Sequence, residues 1–282
     1  MDSDRIYYFR VQACEGRLEE ALQDFVAPVL RSVQGSAGLD AAYFSRYKWE
    51  ALLFVVGDPS WLSAVRTETE QRAEQQLHAG LLERRVPATY RPEYERYGGE
   101  EGMRLAERFF QADSLSCLDL LDAERRGLLD KPRREYSLLL TDRFLDLLGF
   151  DRARKVAFYR YAYAWAIEQG RWQSSDLLLL EERYGDLKDG LAALFEGRTP
   201  DAELFGGEEP ARIAQEWIDA MRPMVATLLR AQAAGRLLQD ILPLAWSYTH
   251  MHCNRLGITG EAEAILRFFM QRLHEDGAGA AS

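Results

Sequence analysis

The sequence is poor in cysteine and has no paired cysteine motif. Its three cysteines among 282 residues, Cys14, Cys117 and Cys253, are far apart and show no C-x-x-C spacing. This usage argues against a disulfide framework or a common zinc site and is typical of a reduced chain. The charged start, Met1–Arg5, lacks the apolar segment of a signal peptide, so we expect a cytoplasmic protein.

Long apolar runs and an excess of positive charge are also lacking. The longest apolar candidates, such as Leu177–Leu180, are far shorter than a membrane span and are flanked by charge. Lysine and arginine number 35 against 45 aspartates and glutamates, which gives a net charge of -10. Because phosphate neutralisation needs a basic surface, this balance argues against a nucleic-acid binder. We expect neither a membrane nor a nucleic acid as a partner.

The common motifs that bind phosphates or dinucleotides, or that present a serine nucleophile, are missing as well. The chain has no Walker loop, no dinucleotide-binding glycine pattern and no G-x-S-x-G elbow. The closely spaced histidines, His250 and His252, would not direct both rings to one metal ion from a helix. We therefore predict no cofactor and no metal site.

What is present begins with an alternation of strands and helices. Apolar and β-branched runs predict strands at Ile6–Val11, Ala41–Tyr47, Ala51–Val56 and Val86–Arg96. Helical periodicity predicts helices over residues 15–33 and from residue 59 or 60 to about residue 81. The order strand-helix-strand-strand-helix-strand is that of a ferredoxin-like, split βαβ sheet with helices on one face.

After Gly99 the pattern is helical throughout. Helices are predicted over residues 101–111, 114–126, 136–148, 151–170, 174–196, 210–235, 237–256 and 261–274, with a cap at Asp113–Ser114 and a bend or break at Pro223. The predicted fold class is α+β, a ferredoxin-like sheet followed by a mostly helical region in one compact unit. We divide the chain into residues 1–98, the helical residues 99–275 and a disordered tail of residues 276–282.

The junction of the two regions, Tyr90–Gly99, has an unusual composition. Its ten residues include three tyrosines and two glycines among several charges. Aromatic residues are out of place in a surface loop, and charges are out of place in a core strand, so the segment indicates the wall of a polar cleft. An amphipathic strand with a Gly-Gly bend is the alternative. In a regular strand Glu93 and Arg96 face opposite sides, so they share a site only if the strand ends or bulges near Gly98.

A second candidate region lies in the helix predicted over residues 237–256, where polar and aromatic residues occupy positions that should be buried. Helical spacing places these residues on two faces: Trp246, His250 and Asn254 on one, and Tyr248, His252 and Arg255 on the other. One histidine can therefore point into a cleft while the other is packed, and the sequence leaves open which one does so.

Three further tyrosines, Tyr159, Tyr161 and Tyr163, lie in another helix. They are most simply explained as core and interface residues. Their hydroxyls could equally line a cavity for an apolar, heteroaromatic ligand.

Two motifs carry a resemblance to a known family. Tyr90-x-Pro-Glu-x-Glu-Arg-Tyr-Gly-Gly99 and His250-Met-x-Cys-Asn-Arg-Leu256 resemble the signature of the glutamate-elimination domain of nisin-type lantibiotic dehydratases and of its stand-alone relatives in thiopeptide biosynthesis. The resemblance covers essentially the whole chain. In eliminating members, the residues that match Glu93, Arg96 and His250 bind and expel a glutamyl ester from serine or threonine.

One strand departs from the eliminating members. They typically carry an arginine-rich strand just before Gly-Asp-Pro, whereas this chain has Leu52 and Phe54 at the expected arginine positions. Those arginines hold the glutamate carboxylate, and a bidentate guanidinium contact has no apolar substitute. The resemblance therefore implies a thiopeptide pyridine synthase, which joins two dehydroalanines by a formal [4+2] aza-cycloaddition and then loses water and the leader peptide as an amide.

This resemblance implies specific roles. We expect His250 to move protons, Arg96 to stabilise charge, Tyr90 and Tyr97 to donate hydrogen bonds to the amide oxygen, and Glu93 to accept a proton or orient Arg96. The expected substrate-binding residues are Tyr159, Tyr161, Tyr163, Trp246, His252, Asn254 and Arg255. No redox cofactor or metal is implied.

The implied partner is a leader-bearing precursor peptide that contains azoles and dehydroalanines, and a homodimer is left open. The leader could add a strand at an exposed sheet edge or lie in a groove among the helices lined by arginines. Two alternative functions remain. One is a lyase that eliminates glutamate from glutamylated serine or threonine, and the other is a non-catalytic protein that binds the peptide or a partner enzyme.

Overall fold

The first part of the chain folds into a four-stranded antiparallel sheet. A computed structural model describes residues 3–195 and 207–279. The strands are β1 (Ile6–Ala13), β2 (Leu39–Tyr47), β3 (Glu50–Gly57) and β4 (Leu82–Arg85), in the spatial order β2-β3-β1-β4. This order, with helices between β1 and β2 and between β3 and β4, confirms the predicted ferredoxin-like arrangement.

The connecting helices pack on one face of the sheet. They are α1 (Leu18–Ala21) and α2 (Ala27–Val33), joined by a π-helical turn, and α3 (Pro59–His78). Burial alternates along β1, and its buried Phe9 lies 6.1 Å from the ring of Phe25 in the π-helical turn. The carboxylate of Asp58 accepts hydrogen bonds from the first backbone N–H groups of α3, which fixes the start of that helix.

The fourth strand is shorter than predicted and lies earlier in the chain. The prediction of a strand at Val86–Arg96 was wrong: β4 ends at Arg85, residues 86–93 have no regular structure, and residues 94–98 form turns. Val86 donates its N–H to the carbonyl of Arg10 in β1 at 2.9 Å. Pro87 and Pro92 follow, and because proline has no N–H they cannot extend the ladder.

Seven helices follow the sheet within the described residues. They are α4 (Glu100–Arg125), α5 (Arg133–Leu147), α6 (Arg152–Glu168), α7 (Ser174–Phe195), α8 (Glu208–Ala233), α9 (Ile241–Arg255) and α10 (Gly260–Gly279). None of the described helices is both long and apolar enough to cross a membrane. The observed α+β class agrees with the prediction.

Three predicted helix boundaries were wrong. No break separates residues 101–111 from 114–126, because Asp113 and Ser114 are bound by tertiary partners inside the continuous α4 instead of capping a helix. Helix α8 continues through Pro223, so the helix does not break there, and a bend at this residue stays a prediction. Helix α10 reaches Gly279, so residues 276–279 of the expected disordered tail are helical, while residues 280–282 lie outside the described part of the chain.

One hydrophobic core joins the sheet to the helices. It extends from Tyr7 in β1 to Met270 in α10, and a smaller cluster around Trp172 and Phe268 joins α6, α7 and α10. The chain is therefore one compact α+β unit. The division after residue 98 stays a prediction, and it falls between Gly98 and Gly99, whose φ angles of 80° and 96° favour glycine.

Side chains from α4 and α9 cover the outer edge of β2. Three backbone N–H groups of β2 donate to side-chain oxygens, Ala42 to Gln111 at 3.0 Å, Phe44 to Ser114 at 3.1 Å and Arg46 to Asn254 at 3.0 Å. Arg255 donates in turn to the carbonyl of Phe44 at 2.8 Å. These bonds satisfy an edge that would otherwise be exposed, and they fix α9 against the sheet.

Candidate functional site

The junction segment meets α9 through the side chain of Arg96. The Nε group of Arg96 donates to the hydroxyl of Ser247 at 3.3 Å. Its guanidinium also lies over two aromatic rings, 5.6 Å from the centre of Trp246 and 5.4 Å from that of Tyr97. The side chain is 25% exposed, so a charged group is held in place at the rim of the core.

Glu93 and Arg96 lie on the same side of the chain. Their charged groups are 3.3 Å apart, from a carboxylate oxygen of Glu93 to Nη1 of Arg96. The sequence required the strand to end or bulge near Gly98. The strand ends earlier, at Arg85, and residues 94–98 form turns, which bring the two side chains together. The Glu93 side chain is 56% exposed, so the ion pair orients Arg96 and adds little to folding stability.

His250 is held by a buried carboxylate from α10. Its Nδ1 lies 2.8 Å from an oxygen of Glu263, whose side chain is 6% exposed. Burial alone raises the pKa of Glu263, but the hydrogen bond from His250 and the charge of Arg267 outweigh it and lower that pKa. Because Glu263 is therefore a carboxylate, Nδ1–H of His250 donates to it, and Nε2 is left to take or give a proton.

The ring of His250 is also fixed by stacking. It lies on Trp246 with the ring centres 5.5 Å apart and the planes at 17°, as their spacing of four residues along a helix predicted. The six residues that meet here are termed the Arg96 cluster below: Glu93, Arg96, Trp246, Ser247, His250 and Glu263.

An aromatic layer connects the Arg96 cluster to the sheet. Phe54 in β3 stacks on Tyr43 at 4.7 Å and meets the edge of Tyr90 at 5.1 Å. Tyr43 lies 5.3 Å from Phe110, which lies 5.3 Å from Tyr97. These five rings form a continuous packed layer from the strand at the expected arginine positions to Arg96, and of the five only Tyr90 is half-buried instead of buried.

Leu52 has one arginine beside it across the sheet, and that arginine is already paired. The cross-strand neighbours of Leu52 are Arg10 in β1 and Ser45 in β2. Nε of Arg10 donates to the carboxylate of Glu50 at 2.6 Å. Within the described residues, the position where eliminating members would bind the glutamate carboxylate therefore holds apolar side chains and one arginine, Arg10, whose charge is balanced by Glu50.

Two of the three tyrosines of the junction segment, Tyr90 and Tyr97, are held as neutral hydroxyls. Burial raises the pKa of Tyr97 to about 12, and burial likewise raises the pKa of Tyr90 above its usual range. The Tyr97 hydroxyl is buried and has no hydrogen-bond partner among the described residues. At neutral pH both groups can donate a hydrogen bond and neither acts as a base.

The sequence matches a known family over nearly its whole length. Residues 7–274 match the family described as "Lantibiotic biosynthesis dehydratase C-term". The chain belongs to this family.

Three solved structures share the fold of this lantibiotic dehydratase C-terminal family member. The tRNA-dependent lantibiotic dehydratase MibB from Microbispora sp. 107891 has a TM-score of 0.73 and 22% identity, and the match covers 100% of this chain and 29% of MibB. TsrL has a TM-score of 0.69 and 18% identity, with 97% and 95% covered. The pyridine synthase TbtD from thiomuracin biosynthesis has a TM-score of 0.69 and 19% identity, with 98% and 99% covered. A comparison with curated protein sequences finds no match.

The tyrosines of α6 are divided between the site and the core of this family member. Tyr161 is 45% exposed and meets the edge of Trp246 at 6.3 Å, so it lies at the rim of the Arg96 cluster. Tyr159 is buried and donates to Asp142 at 3.2 Å, and Tyr163 is buried and donates to Gln271. These last two hydroxyls are bound by the protein itself.

The other face of α9 is bound to a buried aspartate. Nδ1 of His252 lies 2.7 Å from Asp113, and Nη1 of Arg255 lies 2.9 Å from the same carboxylate. Both side chains are buried, and Asn254 bonds the edge of β2 as described above. His250 is therefore the histidine of this helix that lies in the Arg96 cluster, and His252, Asn254 and Arg255 hold the helix in place.

One group of side chains has the donor types of a metal site. Donor atoms of Asp113, Cys117 and His252 lie within 4.8 Å of one another. The sequence concealed this group because the residues come from α4 and α9. The chemistry fits a metal poorly, since Arg255 already neutralises Asp113, and burial, followed by the charge of Asp113, raises the pKa of the Cys117 thiol well above its usual range.

Three residues near the site were not identified from the sequence. Ser247 stands three residues before His250, so helical spacing could have indicated it. Glu263 comes from another helix, and no local pattern pairs it with His250. Glu107 lies in the middle of α4, is 3% exposed, and has an oxygen without a partner among the described residues.

Glu107 is expected to make folding stability depend on pH. Burial raises its pKa from 4.5 to about 7, so the folded state binds the proton more tightly than the unfolded state. Stability therefore falls as the pH rises from 4.5 to about 7. We expect Glu107→Gln to stabilise the fold at pH 8 by up to about 3 kcal/mol and to change it little at pH 5.

Urea unfolding at both pH values tests this expectation. The matched control is Glu182→Gln, which removes an exposed carboxylate and should have the same small effect at both pH values. An equal effect of Glu107→Gln at the two pH values would show that the Glu107 carboxyl does not titrate as described.

Proposed function

We propose that this chain is a pyridine synthase of thiopeptide biosynthesis. The observation that carries the proposal is the apolar occupation of the strand at Leu52 and Phe54, with Arg10 already paired to Glu50. A glutamyl carboxylate would find no bidentate guanidinium there. Membership of a family of lantibiotic biosynthesis supports a peptide that has been modified after translation as the substrate.

In the proposed reaction, one dehydroalanine and its neighbouring amide react with a second dehydroalanine. The amide, as its iminol tautomer, completes a 2-azadiene, and the other alkene is the dienophile. Two carbon–carbon bonds form and close the macrocycle. Loss of water from the former amide carbon, and of the leader as an amide from the dienophile carbon, then leaves an aromatic pyridine without any oxidant.

The aromatic layer supports the first half of this reaction. Bringing two distant alkenes together is chiefly an entropic problem, and favourable positioning can supply roughly 7–11 kcal/mol of the barrier. Flat azole rings of the peptide would stack on the half-buried ring of Tyr90, which its contact with Phe54 holds in place. The hydroxyl of Tyr97 is buried and has no described partner, so it would donate to the amide oxygen, and favour the iminol form, where peptide binding opens the packing around it.

The Arg96 cluster supports the second half. His250, oriented by Glu263, would move the protons needed for tautomerisation and for expulsion of water and the leader amide. Arg96 would stabilise the negative charge that develops on oxygen, and Glu93 would orient it. Trp246 and Tyr161 would contact the peptide at the rim.

Mass spectrometry of a single reaction tests the proposal. The substrate is a synthetic leader-bearing peptide that contains azoles and two dehydroalanines. We expect a macrocycle whose mass equals that of the substrate less water and the leader amide, together with the released leader amide. Recovery of unchanged substrate with a folded, peptide-binding protein would favour the non-catalytic alternative.

A further inference from the structure

Strand β1 has an edge that no described strand covers along half its length. Strand β4 pairs only with Val11–Ala13, and the last bond of the ladder runs from Val86 to the carbonyl of Arg10. Backbone groups alternate in direction along an antiparallel strand, so Ile6 and Tyr8 direct theirs to the same side as Arg10. These groups are a template for a further strand.

A groove runs along this open edge. It has a volume of about 530 Å³ and is formed by β1, by α3 and by the segment that follows β4. Its lining includes Tyr8, Arg66, Glu70, Thr89 and Tyr90. At about 3.3 Å per residue, the edge from Ile6 to Arg10 matches an extended segment of about five residues.

Among the described residues, one arginine of the groove is left for a peptide. Of the three arginines that line it, Arg10 is paired with Glu50 and Arg85 with Glu74, and the lining carboxylate is Glu70. Arg66 therefore supplies the charge that an acidic side chain of a peptide would meet at this edge. Arg66 is exposed and lies over the ring of Tyr7 at 5.3 Å, which holds its charge beside the edge.

The groove is continuous with the site described above. Tyr90 lines it and also belongs to the aromatic layer, and Pro92 lines it one residue before Glu93. We propose that an extended segment of the leader peptide binds here as an added strand beside Ile6–Arg10, with an acidic side chain beside Arg66, and directs the rest of the peptide to the Arg96 cluster. This inference rests on the proposed function in taking a leader-bearing peptide as the substrate.

A second groove offers a different mode of binding. It lies between α5, α7 and α10, has a volume of about 880 Å³, and is apolar with Lys131 and Arg134 at its rim. It would suit an amphipathic helix. Helix α7 ends at its border, where the chain enters residues 196–206 outside the described part, and its apolar lining does not lead to Tyr90 or Glu93.

Binding of a synthetic leader peptide distinguishes the two modes. The probe is a fluorescently labelled synthetic leader peptide that contains acidic residues, made as a series in which one backbone amide at a time is N-methylated. An added strand bonds the sheet through every second residue, so alternate N-methylations should weaken binding by about tenfold and those between them should not.

Side-chain variants provide matched controls. Arg66→Ala should weaken leader binding about fivefold, and the loss should shrink as salt is added. Arg72→Ala, on the same helix but paired with Glu68, should bind as the unchanged protein does, as should Arg134→Ala in the second groove. N-methylation effects in a three-to-four-residue pattern, or a loss with Arg134→Ala and none with Arg66→Ala, would overturn the added strand in favour of a bound helix.

The outcomes also separate this inference from the proposed reaction. If the precursor is converted to the macrocycle but leader binding lacks the two-residue pattern, the added strand is wrong and the reaction stands. If the pattern is present but no pyridine forms, the added strand stands and the reaction is wrong. A leader that does not bind at all would contradict the added strand directly.

Discussion

Replacing His250 with glutamine is expected to lower turnover by about 10²- to 10⁴-fold, the range typical of a lost proton-transfer group. The effect should be this large because Nδ1 is already committed to Glu263, which leaves Nε2 for the reaction. Glutamine can hydrogen-bond at this position but cannot exchange a proton near neutral pH. Peptide binding and the unfolding midpoint should change little, because the ring is partly exposed.

Single-turnover kinetics with the bis-dehydroalanine peptide measure this effect. His78→Gln, which changes an exposed histidine of α3, is the matched control and should react as the unchanged protein does. Glu263→Gln should also slow turnover, and the double variant should be little slower than His250→Gln alone, since both changes disable one unit. If His250→Gln kept full turnover, the assignment of the proton shuttle would be wrong.

Replacing Asp113 with asparagine is expected to destabilise the fold by about 3–5 kcal/mol. The carboxylate is fully buried and accepts hydrogen bonds from Arg255 at 2.9 Å, His252 at 2.7 Å and Trp217 at 2.9 Å. Asparagine would leave the guanidinium of Arg255, itself fully buried, without a counter-charge. Because Arg255 also bonds the edge of β2, the loss should loosen the contact between α9 and the sheet.

Urea unfolding monitored by circular dichroism measures this loss. Asp219→Asn is the control, since Asp219 is exposed in α8 and bonds only Gln215 in the described structure. Burial alone raises the pKa of Asp113, but the charges and hydrogen bonds of His252 and Arg255 lower it, so the stabilisation is present above the unfolded pKa and is lost in acid. A destabilisation below about 0.5 kcal/mol would indicate that Asp113 is not the organising charge of the core.

Local sequence patterns predicted most of the fold. They failed where the structure depends on contacts between residues that are far apart in the sequence. Apolar and β-branched runs located β1 to β3, and the Gly57-Asp-Pro59 run located the start of α3, because these signals lie within a few residues. The fourth strand was misplaced because the aromatic residues of Tyr90–Gly99 serve packing against Phe54 and Phe110, not a strand ladder. Asp113 was taken for a cap because its partners are more than 100 residues away.

The sequence likewise predicted only some of the contacts in the site. Spacing along α9 placed His250 and Trp246 on one face, where their rings stack. Arg96, from the other motif, bonds Ser247 of the same helix. Helical spacing could not indicate which face of α9 packs against the core. The carboxylate that orients His250 belongs to Glu263 in α10, and only tertiary packing brings the two helices together. The roles given to these residues remain proposals.

The proposed function depends on apolar residues, Leu52 and Phe54, standing where eliminating members have the arginines that bind the glutamate carboxylate. A competition between two substrates tests this most directly. The protein is incubated with equal amounts of the bis-dehydroalanine precursor and of the same precursor carrying glutamylated serine, and both are followed by mass spectrometry. We expect the first to yield macrocycle and leader amide while the second is unchanged. Loss of glutamate from the second, with the first unreacted, would contradict the account and assign the chain to the eliminating lyases.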